Sequence, residues 1–200
     1  MKRVIVMQKL YINEIFFSLQ GEGARQGSGN IFIRLAGCNL NCSFCDTNFN
    51  EGKLYLLGEL QNELQKYYPC KNIIWTGGEP TLQLTNEIVD YFKEYGYYQS
   101  IETNGSNYIP SNIDYISISP KENNIHYSIK KVNEVRLLYP YSFNKWSIND
   151  FKFKYDDLYI SPAFNNLNVR YDLINECINI IKDNPVWKLS LQIHKLINIR

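Results

Sequence analysis

Three cysteines, Cys38, Cys42 and Cys45, lie at Cys-x3-Cys-x2-Cys spacing in one short stretch of the chain. Thiolates are soft ligands, so the chemistry on offer is metal or iron–sulfur binding. A structural zinc site closes with four protein ligands, commonly two Cys or His pairs, and no fourth partner stands near this stretch. Three thiolates with one position left open suit an iron–sulfur cluster whose fourth iron binds something else. The bland alternative is three buried thiols in a loop. Whatever they bind, the cysteines need a rigid mount. The apolar run Ile31-Phe32-Ile33-Arg34-Leu35-Ala36-Gly37 directly before them reads as a strand that ends at the cysteine loop.

The rest of the chain supplies similar mounts. Residues 10–17 read as a strand, followed by a loop punctuated by Gly21, Gly23, Gly27 and Gly29. Leu57, Leu60, Leu64 and Tyr67 recur at helical intervals until Pro69 stops them. Residues 72–76 read as a strand before Gly77-Gly78-Glu79-Pro80, and Leu84, Ile88, Val89, Phe92 and Tyr95 form a second helical face with Gly96 as its cap. Further strands are expected at 98–103, 115–119, 135–139, 157–160 and 188–193, the last two bracketing a helix that carries Leu173, Ile174, Cys177, Ile178 and Ile181. Strands alternating with helices predict parallel βα units in a single domain spanning 1–200. In such folds the C-terminal strand ends share the ligand-binding face, so the cysteine loop, Gly77-Gly78, Asn104-Gly105 and Ser119-Pro120-Lys121 are expected to converge there. A chain of 200 residues is short for eight βα units; an α/β fold with an incomplete parallel barrel of about six strands is expected.

Composition narrows the partners. With 21 basic and 20 acidic residues the net charge is +1, which creates neither a nucleic-acid surface nor an anionic-membrane patch. A small-molecule substrate is expected, with no direct nucleic-acid contact and no membrane. The apolar start Val4-Ile5-Val6-Met7 is cut by Gln8-Lys9, too soon for a secretion signal, and no apolar run reaches bilayer length. Five cysteines, three of them clustered, read as metal chemistry in a reducing compartment and place the chain in the cytoplasm.

The cysteine spacing resembles the cluster loop of the radical S-adenosylmethionine (SAM) enzymes. Three further stretches make the resemblance specific: Ser18-Leu19-Gln20-Gly21-Glu22-Gly23, Cys45-Asp46-Thr47 and Gln192-Ile193-His194-Lys195. Together they resemble the 7-carboxy-7-deazaguanine synthase family, from about Glu14 to the last residue. The resemblance implies an abbreviated radical SAM barrel and a [4Fe-4S] cluster held by Cys38, Cys42 and Cys45, with SAM chelating the unique iron. It also implies Mg²⁺ on Thr47, a homodimer, and a reductant such as flavodoxin or ferredoxin. The implied reaction turns 6-carboxy-5,6,7,8-tetrahydropterin into 7-carboxy-7-deazaguanine with loss of ammonia, as in queuosine-type biosynthesis.

Carried over residue by residue, the resemblance assigns SAM contacts to Phe44, Cys45, Asp46, Gly78, Ser119, Pro120, Lys121 and Ser161. Substrate contacts fall on Leu19, Gln20, Gly21, Glu22, Arg34, Thr76 and the terminal Arg200. Each has an ordinary reading beside it. Gly77-Gly78-Glu79-Pro80 also suits a strand-to-helix turn, with Glu79 bracing it. Arg34 also suits a sheet-edge charge with a packed stem, while its guanidinium matches the substrate carboxylate. Gln20 and Glu22 suit solvent, or the donor and acceptor edge of a pterin. Thr47 suits a helix cap, or an oxygen donor to Mg²⁺. Ser161 and Pro162 stand where the family shows Gln-Pro. Glu102 is the catalytic candidate, for SAM positioning or proton handling. Cys70 and Cys177 read as structural. His194 belongs to the tail, read as fixing the end of the chain near the site.

Two rivals remain. A glycyl-radical-enzyme activase shares the cysteine spacing, but lacks a reason for Ser18 to Gly23 and for the Gln192 to Lys195 tail. A non-catalytic zinc or iron–sulfur module would leave the open ligand position unexplained, and SAM cleavage separates the two.

Overall fold

The computed structural model describes residues 8–45, 47–164 and 169–200. They form two compact units: the chain up to Ser18 with Gly29–Thr103 and Asn107–Ile116, and Leu19–Ser28 with Asn104–Ser106 and Ser117–Arg200.

In the first unit, β1 (Lys9–Leu19), β2 (Gly29–Leu35), β3 (Lys53–Leu56), β4 (Asn72–Gly77) and β5 (Tyr98–Thr103) lie in the order β3-β1-β2-β4-β5. β2, β4 and β5 are parallel, with Ile31 opposite Ile73 and Ile73 opposite Gln99. Their apolar runs are buried on both faces, as a parallel strand between helices requires. Helix α1 (Leu57–Leu64) buries Leu57, Leu60 and Leu64, while Glu59 reaches back to accept from the Leu56 N–H at 2.8 Å. Helix α2 (Asn86–Lys93) starts on Thr85, whose side chain accepts from the Ile88 N–H, and buries Ile88, Val89 and Phe92. Trp75 packs edge-on to Phe92; its Nε1–H donates to Gln99 Oε1 at 2.9 Å, and Gln99 Nε2 donates to the Val89 carbonyl at 2.8 Å, so these buried polar groups are paired.

The second unit holds β6 (Tyr115–Ile118, its last two residues), β7 (Lys131–Tyr139), β8 (Lys154–Pro162) and β9 (Trp187–Leu189), neighbours in that order and all parallel. Between β8 and β9 comes α3 (Tyr171–Asp183), which buries Cys177; the short α4 (Ile193–Leu196) follows β9.

Three elements depart from the sequence expectations. β3 was not anticipated: its four residues are half-buried or exposed, and it pairs antiparallel with β1, from Lys9 opposite Leu56 to Ile12 opposite Lys53. β7 begins at Lys131, not at 135, because Glu134 and Arg136 are buried inside it and paired with each other, which hides the strand from a reading of apolar residues. β9 stops at Leu189, and residues 193–196 turn helical with the Ile193 N–H given to the Gly21 carbonyl at 3.1 Å. Among the described residues no helix is long and apolar enough to cross a membrane.

Candidate active site

The cysteine loop hangs from the end of β2. Its root is pinned: the Ala36 N–H donates to the Tyr11 carbonyl at 2.9 Å, and Gln83 Nε2 donates to the Ala36 carbonyl at 2.8 Å. Cys38 and Cys42 are half-buried and Cys45 is exposed. The Leu40 N–H reaches Cys38 Sγ at 3.4 Å, and the Cys45 thiol donates to the Thr47 carbonyl at 3.6 Å. Burial pushes the Cys38 thiol above its usual range; the Leu40 N–H works against this, and Glu79, Cys42 and Cys45 add to it. Among the described residues no three Cys, His, Asp or Glu side chains gather as a ready metal site.

The Gly77-Gly78-Glu79-Pro80 turn is laced to this loop. The Gly78 N–H donates to the Leu35 carbonyl at 3.2 Å and the Glu79 N–H to the Gly37 carbonyl at 2.9 Å. A Cβ on Gly78 would collide with the Gly37 carbonyl and lie 2.8 Å from the Cys38 Cβ, so only glycine permits this approach. Glu79 is fully buried, and one of its oxygens accepts from the Thr81 N–H at 3.0 Å and from the Thr81 and Thr103 hydroxyls, each at 2.6 Å. It braces the turn, as the sequence suggested.

Beside the turn a polar row crosses the sheet of the first unit. Arg34 on β2 lies opposite Thr76 on β4, and the Thr76 hydroxyl donates to Glu102 Oε2 on β5 at 3.2 Å. On β1, Glu14 Oε1 accepts from Arg34 Nε at 2.7 Å. Three of these four side chains were sequence candidates; Glu14 was missed.

In the second unit, the Gln20–Arg25 loop is held from beneath. Gln20 and Gly21 are buried, and Gln20 Oε1 accepts from the Glu22 N–H at 3.0 Å. Glu22 Oε2 pairs with Arg136 Nη1 at 3.0 Å, Arg136 Nε pairs with Glu134 Oε1 at 3.0 Å, and Glu134 Oε2 accepts from the Ala24 N–H at 2.9 Å. Gly23 has φ +70°, and a Cβ there would press into the Glu134 carboxylate. The His194 ring fills the space a Gly21 Cβ would need, so the tail does dock on this loop. Glu134 and Arg136 also escaped the sequence reading. Opposite charges two apart within a strand share a face, and that spacing was the available signal.

The remaining candidates divide between the units. Leu19 and Phe44 are half-buried; Asp46 lies outside the described residues. Ser119 Oγ accepts from Lys121 Nζ at 2.7 Å, with buried Pro120 between them. Ser161 is 3% exposed, and among the described residues its Oγ has no hydrogen-bond partner. Arg200 is exposed.

The chain matches the Radical SAM superfamily over residues 32–148. It is 40% identical over 190 residues to the 7-carboxy-7-deazaguanine synthase of Bacteroides thetaiotaomicron, covering 94% of this chain and 98% of that protein. It is 39% identical over 198 residues to the synthase of the same name from Haemophilus influenzae, covering 94% and 93%. The chain belongs to the 7-carboxy-7-deazaguanine synthase family. Its fold is also that of the crystal structure of QueE from Escherichia coli, with a TM-score of 0.73 at 23% identity, covering 92% of this chain and 93% of that one. The fold is thus the incomplete parallel β/α barrel type expected from the sequence.

Membership of this family brings a [4Fe-4S] cluster and SAM, and the residues present suit both. Three cysteines on one loop, one of them exposed, are the donor set of a three-thiolate cluster. Gly78 lets its turn press against Gly37 and Cys38, which brings the backbone of the turn beside the root of the cysteine loop. The buried Ser161 hydroxyl, without a partner among the described residues, is a group that a bound polar ligand would satisfy.

Proposed function

We propose that the whole chain, 1–200, is one catalytic domain that converts 6-carboxy-5,6,7,8-tetrahydropterin to 7-carboxy-7-deazaguanine with loss of ammonia, in 7-deazapurine biosynthesis. The observation that carries this reading is the 40% identity to a named synthase along nearly the full length of both chains. When bound, the cluster and SAM supply a 5′-deoxyadenosyl radical that removes hydrogen from ring carbon 6 of the substrate.

The protein's own work is to bind, orient and keep water away. Cys38, Cys42 and Cys45 hold iron, and the Gly78 backbone meets the amino group of SAM, with Phe44, Asp46, Ser119, Pro120, Lys121 and Ser161 as further SAM contacts. Arg34 takes the pterin carboxylate. Thr76, with its hydroxyl proton already given to Glu102, offers an acceptor to a pterin N–H. Gln20, whose oxygen accepts from the Glu22 N–H, is a further substrate contact. Leu19, Gly21 and Glu22 complete that loop, and Arg200 is a further substrate contact. Glu102 handles a proton. Thr47 gives an oxygen to Mg²⁺, which water and substrate atoms complete. The working enzyme is a cytoplasmic homodimer reduced by a flavodoxin or ferredoxin.

The test is anaerobic incubation of cluster-loaded protein with reductant, SAM, Mg²⁺ and the carboxypterin. The expected products are 5′-deoxyadenosine, ammonia and 7-carboxy-7-deazaguanine. SAM cleavage with the pterin untouched would return the chain to the activase reading; no SAM cleavage at all would leave a metal-binding module.

A further inference from the structure

We infer that Glu14 is a positioning residue that commits Arg34 to an end-on grip of the substrate carboxylate. This rests on the reading of Arg34 as the carboxylate's partner. A guanidinium has two edges that match a carboxylate with paired donors: the side edge, made of Nε and one Nη, and the end edge, made of both Nη groups. Glu14 Oε1 sits 2.7 Å from Arg34 Nε, so the side edge is taken. Arg34 makes no other hydrogen bond or ion pair among the described residues, which leaves the end edge with two donors.

Burial gives this arrangement its force. The side chains of Arg34 and Glu14 are 21% and 25% exposed, so both are partly withdrawn from the screening of bulk water. A long cationic side chain without a partner samples many rotamers, and a ligand must then order it on binding. Glu14 orders it beforehand. The neighbours across the sheet show the same division of labour: Thr76, opposite Arg34, has its hydroxyl fixed by Glu102. Two acids on the outer strands of the row, β1 and β5, thus set the hydrogen-bonding polarity of the two residues between them.

The experiment measures KM and kcat separately for the carboxypterin and for SAM. Glu14→Ala is expected to raise KM for the carboxypterin by about ten-fold, the scale of one lost charge-assisted orientation, with KM for SAM unchanged. Glu14→Gln keeps an oxygen for Nε and should restore the wild-type KM to within about two-fold. Glu14→Asp keeps the charge but falls short of Nε and should behave as Glu14→Ala, which preserves the test if the alanine variant folds poorly. Combined with Arg34→Ala, the loss of Glu14 should add nothing further. An unchanged pterin KM in Glu14→Ala and Glu14→Asp, or an additive double variant, overturns the inference while leaving Arg34 in its role. Arg34→Ala with an unchanged pterin KM overturns the reading of Arg34 itself.

Discussion

Glu79 in the first unit and Glu134 in the second are both buried acids beneath a glycine-bearing loop, yet they are satisfied by different donors. One oxygen of Glu79 is met by a backbone N–H and two threonine hydroxyls, within a turn that is pressed against the cysteine loop. Glu134 takes one backbone N–H and an arginine that is itself shared with Glu22. The Cys38 thiol is pushed up chiefly by burial, and the charge of Glu79 adds to this. That negative field opposes a second thiolate but favours iron. The ionic cradle spends its charges on one another and gives rigidity to a loop proposed to read a neutral ring. One region is tuned to receive cations and the other to hold shape.

The comparison breaks first at the cysteines. Cys38→Ala, Cys42→Ala and Cys45→Ala should each abolish SAM cleavage in a protein that otherwise binds about four irons per chain, while Cys70→Ala should retain it. Iron analysis beside a deoxyadenosine assay decides this. Next comes the metal proposed at the far side of the same loop. Thr47→Val keeps the shape without the oxygen, so it should load cluster and SAM normally yet lose most turnover and most Mg²⁺ stimulation; normal turnover would remove Mg²⁺ from Thr47.

The two cradles can then be weighed by denaturant unfolding. Arg136→Ala strands Glu134 and should cost about 3–5 kcal/mol. Glu79→Gln keeps the oxygen that all three donors use, and should cost only about 1 kcal/mol. Equal losses would mean that the kind of donor does not matter. The smallest effect concerns Cys177, which is fully buried with its thiol pushed up to about 12 by burial, then by Glu176. A raised thiol pKa leaves less thiolate at pH 8, so alkylation of the iron-free chain should label the exposed Cys45 well before Cys177.

What the sequence made legible had a local signature. The cysteine loop, the two glycines before Glu79 and the apolar faces of α1, α2 and α3 all announce themselves by spacing. Long-range polar pairing has none. Glu14 meets Arg34 across strands, and Glu22 meets Arg136 at a separation of 114 residues, so no window along the chain contains both partners. β7 was cut short for a different reason: Glu134 and Arg136 are near in sequence, but their charges look like surface residues until each is seen to neutralise the other. β3 was missed because pairing with β1, not burial, makes it a strand.

The hydrogen bond from the Gly23 N–H to Ser190 Oγ joins residues 167 positions apart. During synthesis the early loop emerges long before the serine that completes it, and the tail that rests on Gly21 comes later still. The contacts from Gln20, Glu134 and Arg136 are available before the serine, so Ser190 adds a late tie to a Gln20–Arg25 loop that nearer parts of the chain already hold. A nascent chain stalled short of Ser190 would lack that tie and the tail on Gly21, while Glu22 and Glu134 would already share Arg136.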